Sequence, residues 1–506
     1  MFAIYVVLSA VGAILIKYLR DYLNFRKYYS NLPGSKDLHP LLGNLHLFPG
    51  FGEDRLAFDH ELSRLYKYFN RVWAGPFGAF LFVYHPDTVK EIIKSNAIKP
   101  RNSGGLIATS YDMGAQWIGE GLVLSNGPKW YHNRRLLTPS FHFDILKKYL
   151  EIYNDCARIL LSKMDESSQT ETSVDIQAVI SKYALDVILR CAFSSETDCQ
   201  TKPEGNEYAE ALDTLQDGWM KRLLKVGQYN EFIYKLTSDG KRFYAACDVT
   251  HRHCERIITA RQAELQLTST DKPQHMTPDK KVRDFLDTLL MARDEEGQGM
   301  SLDDMRSQVD TFLCAGHDTT VSGITWTLMC LAQNPQHQEL VYQEVNAVLG
   351  GEGHVSYEDL GQLKYTTQCI KEALRMHAAV PGIDRVTTQD VELNGYKVKA
   401  GTYISINIWA LHNNPHVWDN PLEFQPERFD PAEVSQMDPY QFIPFSAGSR
   451  NCIGQNFALN EMKTTIAKIV QNFRLSDDQD KPAKRLMRLT MKAEGGAFVF
   501  VTPRGN

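Results

Sequence analysis

A single cysteine in a glycine-containing loop is the strongest chemical feature of this sequence. Residues 445–458 read FSAGSRNCIGQNFA, with Cys452 just before an amphipathic stretch predicted to be helical. Backbone N–H groups and the positive end of a helix dipole stabilise a thiolate there, lowering the pKa of the thiol from its usual ~8.5. Gly448 and Gly454 allow the backbone to approach a flat partner, and Arg450 can bind an anion beside the sulfur. This combination indicates an axial ligand for heme iron, with Arg450 on a propionate; the alternative is a buried, inert cysteine.

An acid–base pair lies three residues apart on a second predicted helix. Glu372 and Arg375 fall within residues 365–377, and a Pro-Glu-Arg-Phe segment downstream supplies a second guanidinium at Arg428. On a solvated helix such a pair contributes only ~0.2–0.5 kcal/mol. Two arginines can share one carboxylate because the guanidinium is forked, which an ammonium is not. We therefore expect a structural network.

A polar run interrupts the apolar helix predicted over residues 309–331. Residues 315–320 read AGHDTT, although glycine and paired threonines are unfavourable inside a helix. A threonine hydroxyl bonded to the carbonyl four residues earlier can open a gap for water or dioxygen, and Asp318 can supply protons there. A solvent-facing turn is the alternative. His317 is interpreted as a hydrogen-bonded wall residue.

An aromatic residue and a cation form a fourth candidate site. Trp130 and Arg134 lie four residues apart, on one face of a predicted helix. Arg385 follows a Val-Pro-Gly segment further along the chain. Either arginine could instead be a surface cation.

The loop from Phe445 to Gly454 resembles the F-x-x-G-x-R-x-C-x-G signature of the cytochrome P-450 monooxygenases, with every fixed position present. The resemblance implies that Cys452 is the axial thiolate ligand of heme iron. It assigns the remaining cofactor-binding positions to Phe445, Gly448, Arg450, Gly454, Trp130, Arg134 and, more loosely, Arg385. It also implies a proton-delivery pair at Asp318 and Thr319, and a buried network of Glu372, Arg375 and Arg428 behind the heme loop.

The resemblance extends from Pro33 to about Val501 and is greatest to the family 4 branch, whose members hydroxylate fatty acids and eicosanoids at or near the terminal carbon. Segments 130–146, 309–320 and 411–429 carry this likeness. Many of that branch have a glutamate, ester-linked to a heme methyl, directly before the Gly-His-Asp-Thr-Thr run. This chain has Ala315 there, and a methyl group cannot form an ester. We therefore predict heme b (iron protoporphyrin IX) bound non-covalently.

The predicted fold class is mainly α with a small β region. The resemblance implies the P-450 fold, a helix-rich triangular prism with heme between two central helices. Helical periodicity covers residues 146–164, 174–191, 207–224, 243–265, 285–293 and 302–334, and Asp87 is predicted to cap a helix reaching Lys94. Short strands are predicted at 72–76 and 79–84 around a Pro-Phe-Gly turn, at 391–398 as a hairpin that turns at Asn394-Gly395, at 403–408 and near 497–501. The polar stretch 266–280 is interpreted as an exposed connection.

An apolar run over residues 2–16 is followed by Lys17 and Arg20. A cleaved signal peptide would carry its positive charge before the run, so we predict a retained anchor at 1–23, a Pro/Gly hinge at 24–45 and one catalytic domain at 46–506. The flanking charges place that domain on the cytosolic face, with a single-pass anchor in the endoplasmic reticulum membrane. A buried N-terminal helix of a soluble protein is the alternative.

The composition narrows the possible partners. The 506 residues carry 55 Lys and Arg against 61 Asp and Glu, a net charge of −6 that gives no basic footprint for nucleic acid. Nine scattered cysteines without a C-x-x-C pair indicate neither a disulfide framework nor a zinc site. Dinucleotide and nucleoside triphosphate loops are absent from the sequence, so electrons must come from another chain.

The expected partners are an NADPH-dependent flavoprotein reductase, cytochrome b5, the lipid bilayer, dioxygen and a small lipophilic substrate. We expect the reductase to dock on cations at Lys129, Arg134, Arg135, Lys147 and Lys148, and the substrate channel to involve residues 101–124 with Trp117.

Three other functions are compatible with these residues. A heme-thiolate isomerase or dehydratase acting on lipid peroxides would need no external electrons. A non-catalytic heme sensor or carrier would need neither the acid–alcohol pair nor the anchor. A cysteine hydrolase with Cys452 as nucleophile would need a histidine or acid in a recognisable signature beside it, which the sequence lacks.

Overall fold

The computed structural model describes residues 2–75, 78–102, 108–170, 172–195, 199–201, 204–270, 284–293, 297–351 and 353–505. Within them the chain is mainly helical with short strands, as predicted. The helices are α1 (Phe2–Ser30), α2 (Glu53–Leu65), α3 (Pro86–Lys94), α4 (Ala115–Ile118), α5 (Gly127–Leu137), α6 (Phe143–Ser168), α7 (Ile176–Phe193), α8 (Glu204–Leu224), α9 (Glu231–Leu236), α10 (Ser238–Thr270), α11 (Phe285–Met291), α12 (Leu302–Gln333), α13 (Pro335–Leu349), α14 (Lys364–His377), α15 (Ile408–His412), α16 (Pro431–Val434) and α17 (Gln455–Asn472). The strands are β1 (Phe69–Ala74), β2 (Gly78–Val83), β3 (Val174–Asp175), β4 (Gly382–Val386), β5 (Val391–Leu393), β6 (Tyr396–Val398), β7 (Tyr403–Asn407), β8 (Phe473–Asp477), β9 (Lys484–Met487), β10 (Met491–Glu494) and β11 (Phe498–Pro503).

The chain divides into two compact units. The first comprises residues 1–98, 382–421 and 439–441, and the second comprises 99–381, 422–438 and 442–506. The single catalytic domain expected over residues 46–506 stays a prediction.

The first unit is built on a four-stranded sheet with the order β1-β2-β7-β4. Strands β2 and β7 pair in parallel, and the other pairs are antiparallel. The predicted hairpin β5–β6 is confirmed, with both turn residues, Asn394 and Gly395, in the left-handed region. One detail was wrong: α3 is capped by the ring of His85, which accepts a hydrogen bond from the backbone N–H of Asp87.

Helix α1 ends against this sheet. Arg26 stacks 4.1 Å from the centre of the Trp73 ring, and Tyr29 packs beside the same ring. The part of α1 before this contact leaves large apolar side chains exposed, at Tyr5, Val11, Ile14, Leu15, Ile16, Tyr18, Leu19 and Leu23. Judged on length and hydropathy, none of the helices in the described ranges qualifies as a membrane span.

Helix α12 forms the core of the second unit, and most of its side chains are buried. The Ser301 hydroxyl caps its start by accepting from the backbone N–H of Asp304. Two glycines allow neighbouring helices to come close. A Cβ at Gly316 would lie 2.7 Å from Cδ1 of Ile188 on α7, and one at Gly323 would lie 2.8 Å from the terminal methyl carbon of Met462 on α17.

Two small sheets complete the second unit. Strands β9 and β10 form an antiparallel hairpin, and β11 lies between β3 and β8. The predicted strand at 497–501 is confirmed as β11, whereas the β9–β10 hairpin was not anticipated. The predicted connection at 266–280 is helical up to Thr270 as the end of α10, and its remainder lies outside the described residues.

Candidate active site

The cysteine loop is a closed turn ahead of α17. The backbone N–H of Cys452 donates to the carbonyl of Phe445 at 2.8 Å, which closes the loop on itself. Ser446 and Gly448 both have positive φ, at 59° and 69°. The left-handed region suits glycine at position 448, whereas Ser446 is held there by the surrounding turn.

The sulfur of Cys452 lies in a recess. The residue is exposed to solvent, and yet protein surrounds it closely enough that desolvation dominates its ionisation. Desolvation raises the pKa of the Cys452 thiol, while the backbone N–H of Gly454 and the charge of Arg134 lower it. The lowering of the thiol pKa that the sequence suggested is therefore outweighed by burial. A bound metal ion would deprotonate the sulfur.

Arg134 holds the residue next to the cysteine. Its two terminal nitrogens donate to the backbone carbonyl and to Oδ1 of Asn451, both at 2.8 Å. The sequence did not single out Asn451, which lies 317 residues from Arg134 along the chain. Arg134 is half-buried on the loop, and its expected part in docking a reductase stays a prediction.

Arg450 and Trp130 are brought together. The guanidinium lies 3.7 Å from the centre of the Trp130 ring, at stacking distance. It also donates to the carbonyl of Ser125 at 2.8 Å and to Oδ1 of Asn126 at 3.0 Å. The start of α5 and the cysteine loop are thereby joined through two arginines, Arg450 and Arg134. Their roles toward a propionate stay predictions.

The acid–base network assembles as expected. Nε and one terminal nitrogen of Arg375 donate to the two oxygens of Glu372 at 2.7 and 2.8 Å, and both side chains are fully buried. Nε of Arg428 lies 3.4 Å from Oε1 of Glu372. The backbone N–H of Gln425, which the sequence did not indicate, donates to that oxygen at 3.0 Å. One carboxylate therefore joins α14 to the Pro-Glu-Arg-Phe segment.

The polar run on α12 has two faces. The hydroxyl of Thr319 donates to the carbonyl of Ala315 at 2.7 Å, and that of Thr320 donates to the carbonyl of Gly316 at 2.8 Å. Both bonds reach the carbonyl four residues earlier, as the sequence suggested. Ala315 is exposed and Thr319 is half-buried, whereas Asp318 and Thr320 are buried. Ala315 and Thr319, one turn apart, therefore line the same open face of an otherwise buried helix.

Asp318 points away from that face and toward the β9–β10 hairpin. It is 2% exposed, its Oδ1 lies 2.9 Å from Nζ of Lys492, and its Oδ2 accepts a hydrogen bond from the Thr490 hydroxyl. Burial acts to raise the pKa of the Asp318 carboxyl, but Lys492 and the neighbouring donors outweigh it and the pKa falls below its usual range. Nζ of Lys492 also lies 2.5 Å from Oδ1 of Asp213, which is exposed on α8. Lys492, Thr490 and Asp213 were not predicted from the sequence.

His317 takes the role expected for it. The residue is buried, and Nε2 of its ring lies 3.0 Å from the carbonyl and 3.2 Å from the hydroxyl oxygen of Ser181. Burial is the main cause that lowers the pKa of the His317 imidazole, so the ring is neutral. A neutral ring bonded to α7 is a wall residue.

Arg385 belongs to the first unit, on β4. It is buried, and one terminal nitrogen donates to the carbonyl of Asp384 at 2.8 Å. Its assignment to a propionate stays a prediction.

The other expected docking cations are partly engaged. Lys129 pairs with Asp304 and Lys147 pairs with Glu358, each at 2.7 Å on the surface. Arg135 and Lys148 are exposed. Trp117, which was expected to line the substrate channel, is fully buried and packs edge-on against Trp219.

The residues of the second unit fit a heme group. Cys452 offers a soft sulfur ligand in a recess, and Ala315 gives α12 an exposed position without a side chain beyond Cβ. Arg134 and Arg450 bring two guanidinium groups to this loop, where they donate to Asn451, Ser125 and Asn126. A soft sulfur ligand beside two guanidinium groups suits an iron porphyrin that carries anionic propionates.

Comparison with known proteins gives a consistent result. The sequence profile of the cytochrome P450 family matches residues 33–500. The chain is 38% identical over 475 residues to cytochrome P450 4X1 of Homo sapiens, covering 91% of this chain and 91% of that protein. It is 37% identical over 508 residues to cytochrome P450 4F4 of Rattus norvegicus, covering 99% and 96%. Cytochrome P450 4B1 of Rattus norvegicus is 38% identical over 433 residues, with 85% and 83% covered.

Proposed function

The chain belongs to the cytochrome P450 family, and on that premise we propose that it is a membrane-anchored enzyme that hydroxylates a fatty acid or a related lipid near the end of its chain. It is a heme-thiolate monooxygenase, an oxidoreductase that acts on paired donors with incorporation of molecular oxygen. The observation that carries the proposal is the solvent-accessible thiol of Cys452 in its closed loop.

The heme group supplies the activation of dioxygen and the insertion of one oxygen atom into a C–H bond. The chain supplies the environment for that chemistry. Cys452 is the proposed iron ligand, and the Phe445 carbonyl holds its backbone in position. Arg134 fixes the adjacent Asn451 and places a positive charge near the sulfur, which favours the thiolate. Trp130, Arg134, Arg450 and, more loosely, Arg385 are the proposed propionate partners.

Asp318 and Thr319 are the proposed proton-delivery pair. The two side chains do not touch, because adjacent residues on a helix point in different directions. Asp318 is held as a carboxylate by Lys492, which also contacts the exposed Asp213. These contacts link the exposed Asp213 to the buried Asp318, and we propose this side of α12 as the entry for protons. The Thr319 hydroxyl lies on the open face and is the group placed to pass a proton onward.

The substrate class rests on similarity to family 4 relatives. The resemblance of segments 130–146, 309–320 and 411–429 to that branch supports a fatty acid or eicosanoid. The heme is proposed to be heme b and non-covalent, since Ala315 cannot form an ester. Many branch members have the ester-forming glutamate at this position. Because this chain lacks it, we do not propose strict selectivity for the terminal carbon.

The proposed location is the endoplasmic reticulum membrane, with the catalytic body on the cytosolic face. The support is the run of exposed apolar side chains along α1 and the cations that follow it. Cytochromes P450 receive electrons from a redox partner; here we propose an NADPH-dependent flavoprotein reductase, with cytochrome b5 as a second donor. Arg135 and Lys148 are the exposed cations proposed for docking.

A carbon-monoxide difference spectrum of the reduced protein tests the thiolate ligand. We expect the thiolate signature in the full chain and its loss in Cys452→Ser. An unchanged Soret signature in that variant would overturn the assignment.

A panel of fatty acids, eicosanoids and lipid peroxides, each with reductase and NADPH, then tests the reaction. Hydroxylated product that requires NADPH supports the proposal, and peroxide isomerisation without NADPH contradicts it.

A further inference from the structure

A buried glutamic acid on α17 has no role in the chemistry described above. Glu461 is 1% exposed, and neither of its carboxyl oxygens has a hydrogen-bond partner within the described ranges. Native proteins satisfy nearly all buried polar atoms, either with protein groups or with ordered water. Two unsatisfied oxygens on one carboxyl group therefore call for a partner.

Glu461 lies between two tyrosines on one face of α17. One turn earlier, Phe457 packs edge-on against Tyr153 of α6, with 5.6 Å between the ring centres. One turn later, the hydroxyl of Thr465 lies 2.8 Å from the hydroxyl of Tyr183 on α7. Residues four apart share a helix face, so Glu461 faces α6 and α7 between these two contacts.

Tyr153 supplies a second unsatisfied group. The residue is fully buried, and its hydroxyl has no hydrogen-bond partner among the residues described. Burial is the largest effect that raises the pKa of the Tyr153 phenol, and Cys191 and an ionised Glu461 would raise it further. Tyr153 packs on Phe457, one helical turn from Glu461, so the two orphaned polar groups of α6 and α17 meet at the same buried helix face.

Among the residues that the structure describes, no cation pairs with Glu461. The Thr320 hydroxyl of α12 is close enough to lower the pKa of the Glu461 carboxyl, although the pair does not reach hydrogen-bond geometry. Burial is the larger effect and raises that pKa well above its usual range. The other titratable neighbours and the charges that act on them are Asp155, Cys156, Tyr183, Asp186, Arg190, Cys191 and Asp284. Among them Arg190 lowers the pKa of the two cysteine thiols, and none of the seven reverses the effect of burial on Glu461.

We propose that Glu461 and Tyr153 form an internal site that holds at least one water molecule, with the Glu461 carboxyl in its protonated form. A buried water needs two to four polar partners, and the two carboxyl oxygens and the phenol provide them. A protonated carboxyl can donate one hydrogen bond and accept others, whereas a carboxylate without a cation or donor would be costly in this core. The site keeps an exchangeable proton beside Thr320, on the same turn of α12 as Asp318 and Thr319. This inference does not depend on the proposed substrate or reaction.

Infrared spectroscopy of the purified full-length chain at pH 8 tests the proposal. We expect a carbonyl band from a protonated carboxylic acid that is absent in Glu461→Gln. Asp284 and Asp310, whose carboxyl pKa values are each about 6, are ionised at that pH and do not give this band. Tyr153→Phe removes one partner of the water and should shift the band. The matched control is Tyr149→Phe, which also packs on Phe457 but should leave the band in place.

Two results would overturn the proposal: no acid band at pH 8 in the unmodified chain, or a band that Tyr153→Phe leaves unchanged. If Glu461→Gln fails to accumulate, the shift in Tyr153→Phe still decides, because that chain keeps Glu461. These readouts do not involve turnover, so a failed reaction assay would leave them interpretable.

Thermal unfolding gives a second measurement. A carboxyl group whose pKa is raised by folding lowers the free energy of unfolding as the pH rises. This loss begins near the pKa of the group in the unfolded chain, ~4.3 for a glutamic acid. Glu461→Gln carries no such cost, so its melting temperature relative to the unmodified chain should increase between about pH 5 and pH 8. A difference that stays flat over this range would show that Glu461 is ionised in the folded protein.

Discussion

Lys492 lies 2.9 Å from Asp318, joining the β9–β10 hairpin to the middle of α12. The carboxylate is buried and the ammonium group is only slightly exposed, so each charge depends on the other for compensation. The pair fixes Asp318 as a buried anion beside the open face of Ala315 and Thr319.

Lys492→Met should strongly destabilise the protein at pH 7. Removing one member of a buried pair leaves an uncompensated charge, which costs about 3–5 kcal/mol. The control is Lys484→Met, which removes an exposed lysine of the same hairpin. Denaturant unfolding of both variants measures the difference, and equal stabilities would contradict the expectation.

The stability that the Asp318–Lys492 pair contributes should depend on pH in acid solution. The pKa of Asp318 is lowered by folding, so its contribution is present above the unfolded value of ~3.9 and is lost as the pH falls through the lower folded value. The stability difference between the unmodified chain and Lys492→Met should therefore shrink below about pH 4. Unfolding midpoints measured from pH 7 downward test this.

Arg375→Lys should destabilise the protein although it keeps the charge. Glu372 and Arg375 are fully buried and joined by two hydrogen bonds, and an ammonium group cannot form the same forked pair. The loss should reach several kcal/mol, by analogy with about 3–5 kcal/mol for a broken buried pair. A lower yield of heme-loaded protein should accompany it.

The matched control is Arg64→Lys. Arg64 and Glu61 have the same three-residue spacing and the same two-bond geometry, at 2.7 and 2.6 Å, but both side chains are exposed. Water screens and replaces that interaction. A melting temperature that falls as far in Arg64→Lys as in Arg375→Lys would show that burial is not the deciding factor.

Asp310→Asn should flatten the pH dependence of stability in mildly acidic solution. Asp310 of α12 is buried, accepts from the thiol of Cys254 at 3.1 Å and pairs with Arg306 at 3.1 Å. Burial raises the pKa of the Asp310 carboxyl to about 6, against the partly compensating effect of His251, Cys254 and Arg306. Because the folded value lies above the unfolded ~3.9, this carboxyl costs stability as the pH rises from about 4 to 6, by an amount on the order of 3 kcal/mol.

Unfolding midpoints measured between pH 4 and pH 7 give the change of stability with pH. Asp310→Asn should lose the part of that change that the Asp310 carboxyl contributes. Asp284, whose carboxyl pKa is also raised to about 6 by burial, supplies part of what remains. Asp303→Asn is the control, since Asp303 pairs with the same Arg306 but is exposed. An unchanged slope in Asp310→Asn would contradict the assignment.

Heme should separate from the unmodified chain in acidified organic solvent. Ala315 offers no carboxyl group on the exposed face of α12, so an ester to the heme cannot form there. Ala315→Glu places a carboxyl at this position, and after turnover part of the heme should remain with the polypeptide. Chromatography with detection at heme and protein wavelengths distinguishes the two. Heme retained by the unmodified chain would disprove non-covalent binding.

The sequence by itself determined the local features of this protein. The turn that carries Cys452, the three-residue spacing of Glu372 and Arg375, and the threonine bonds along α12 follow from neighbouring residues and helix geometry. The long helices and the β5–β6 hairpin were predictable for the same reason, because periodicity and turn residues act over a few positions.

The tertiary structure decided which of these features meet. Arg134 binds Asn451 across 317 residues and Thr490 reaches Asp318 across 172, and no local pattern encodes either pairing. The direction in which Asp318 points, the inward turn of Arg134 and the enclosure of Glu461 depend on helix packing, since close contacts such as Gly316 against Ile188 fix which face of each helix is covered. Burial then sets the charge states, because a carboxyl group's ionisation depends on the partners that packing brings to it.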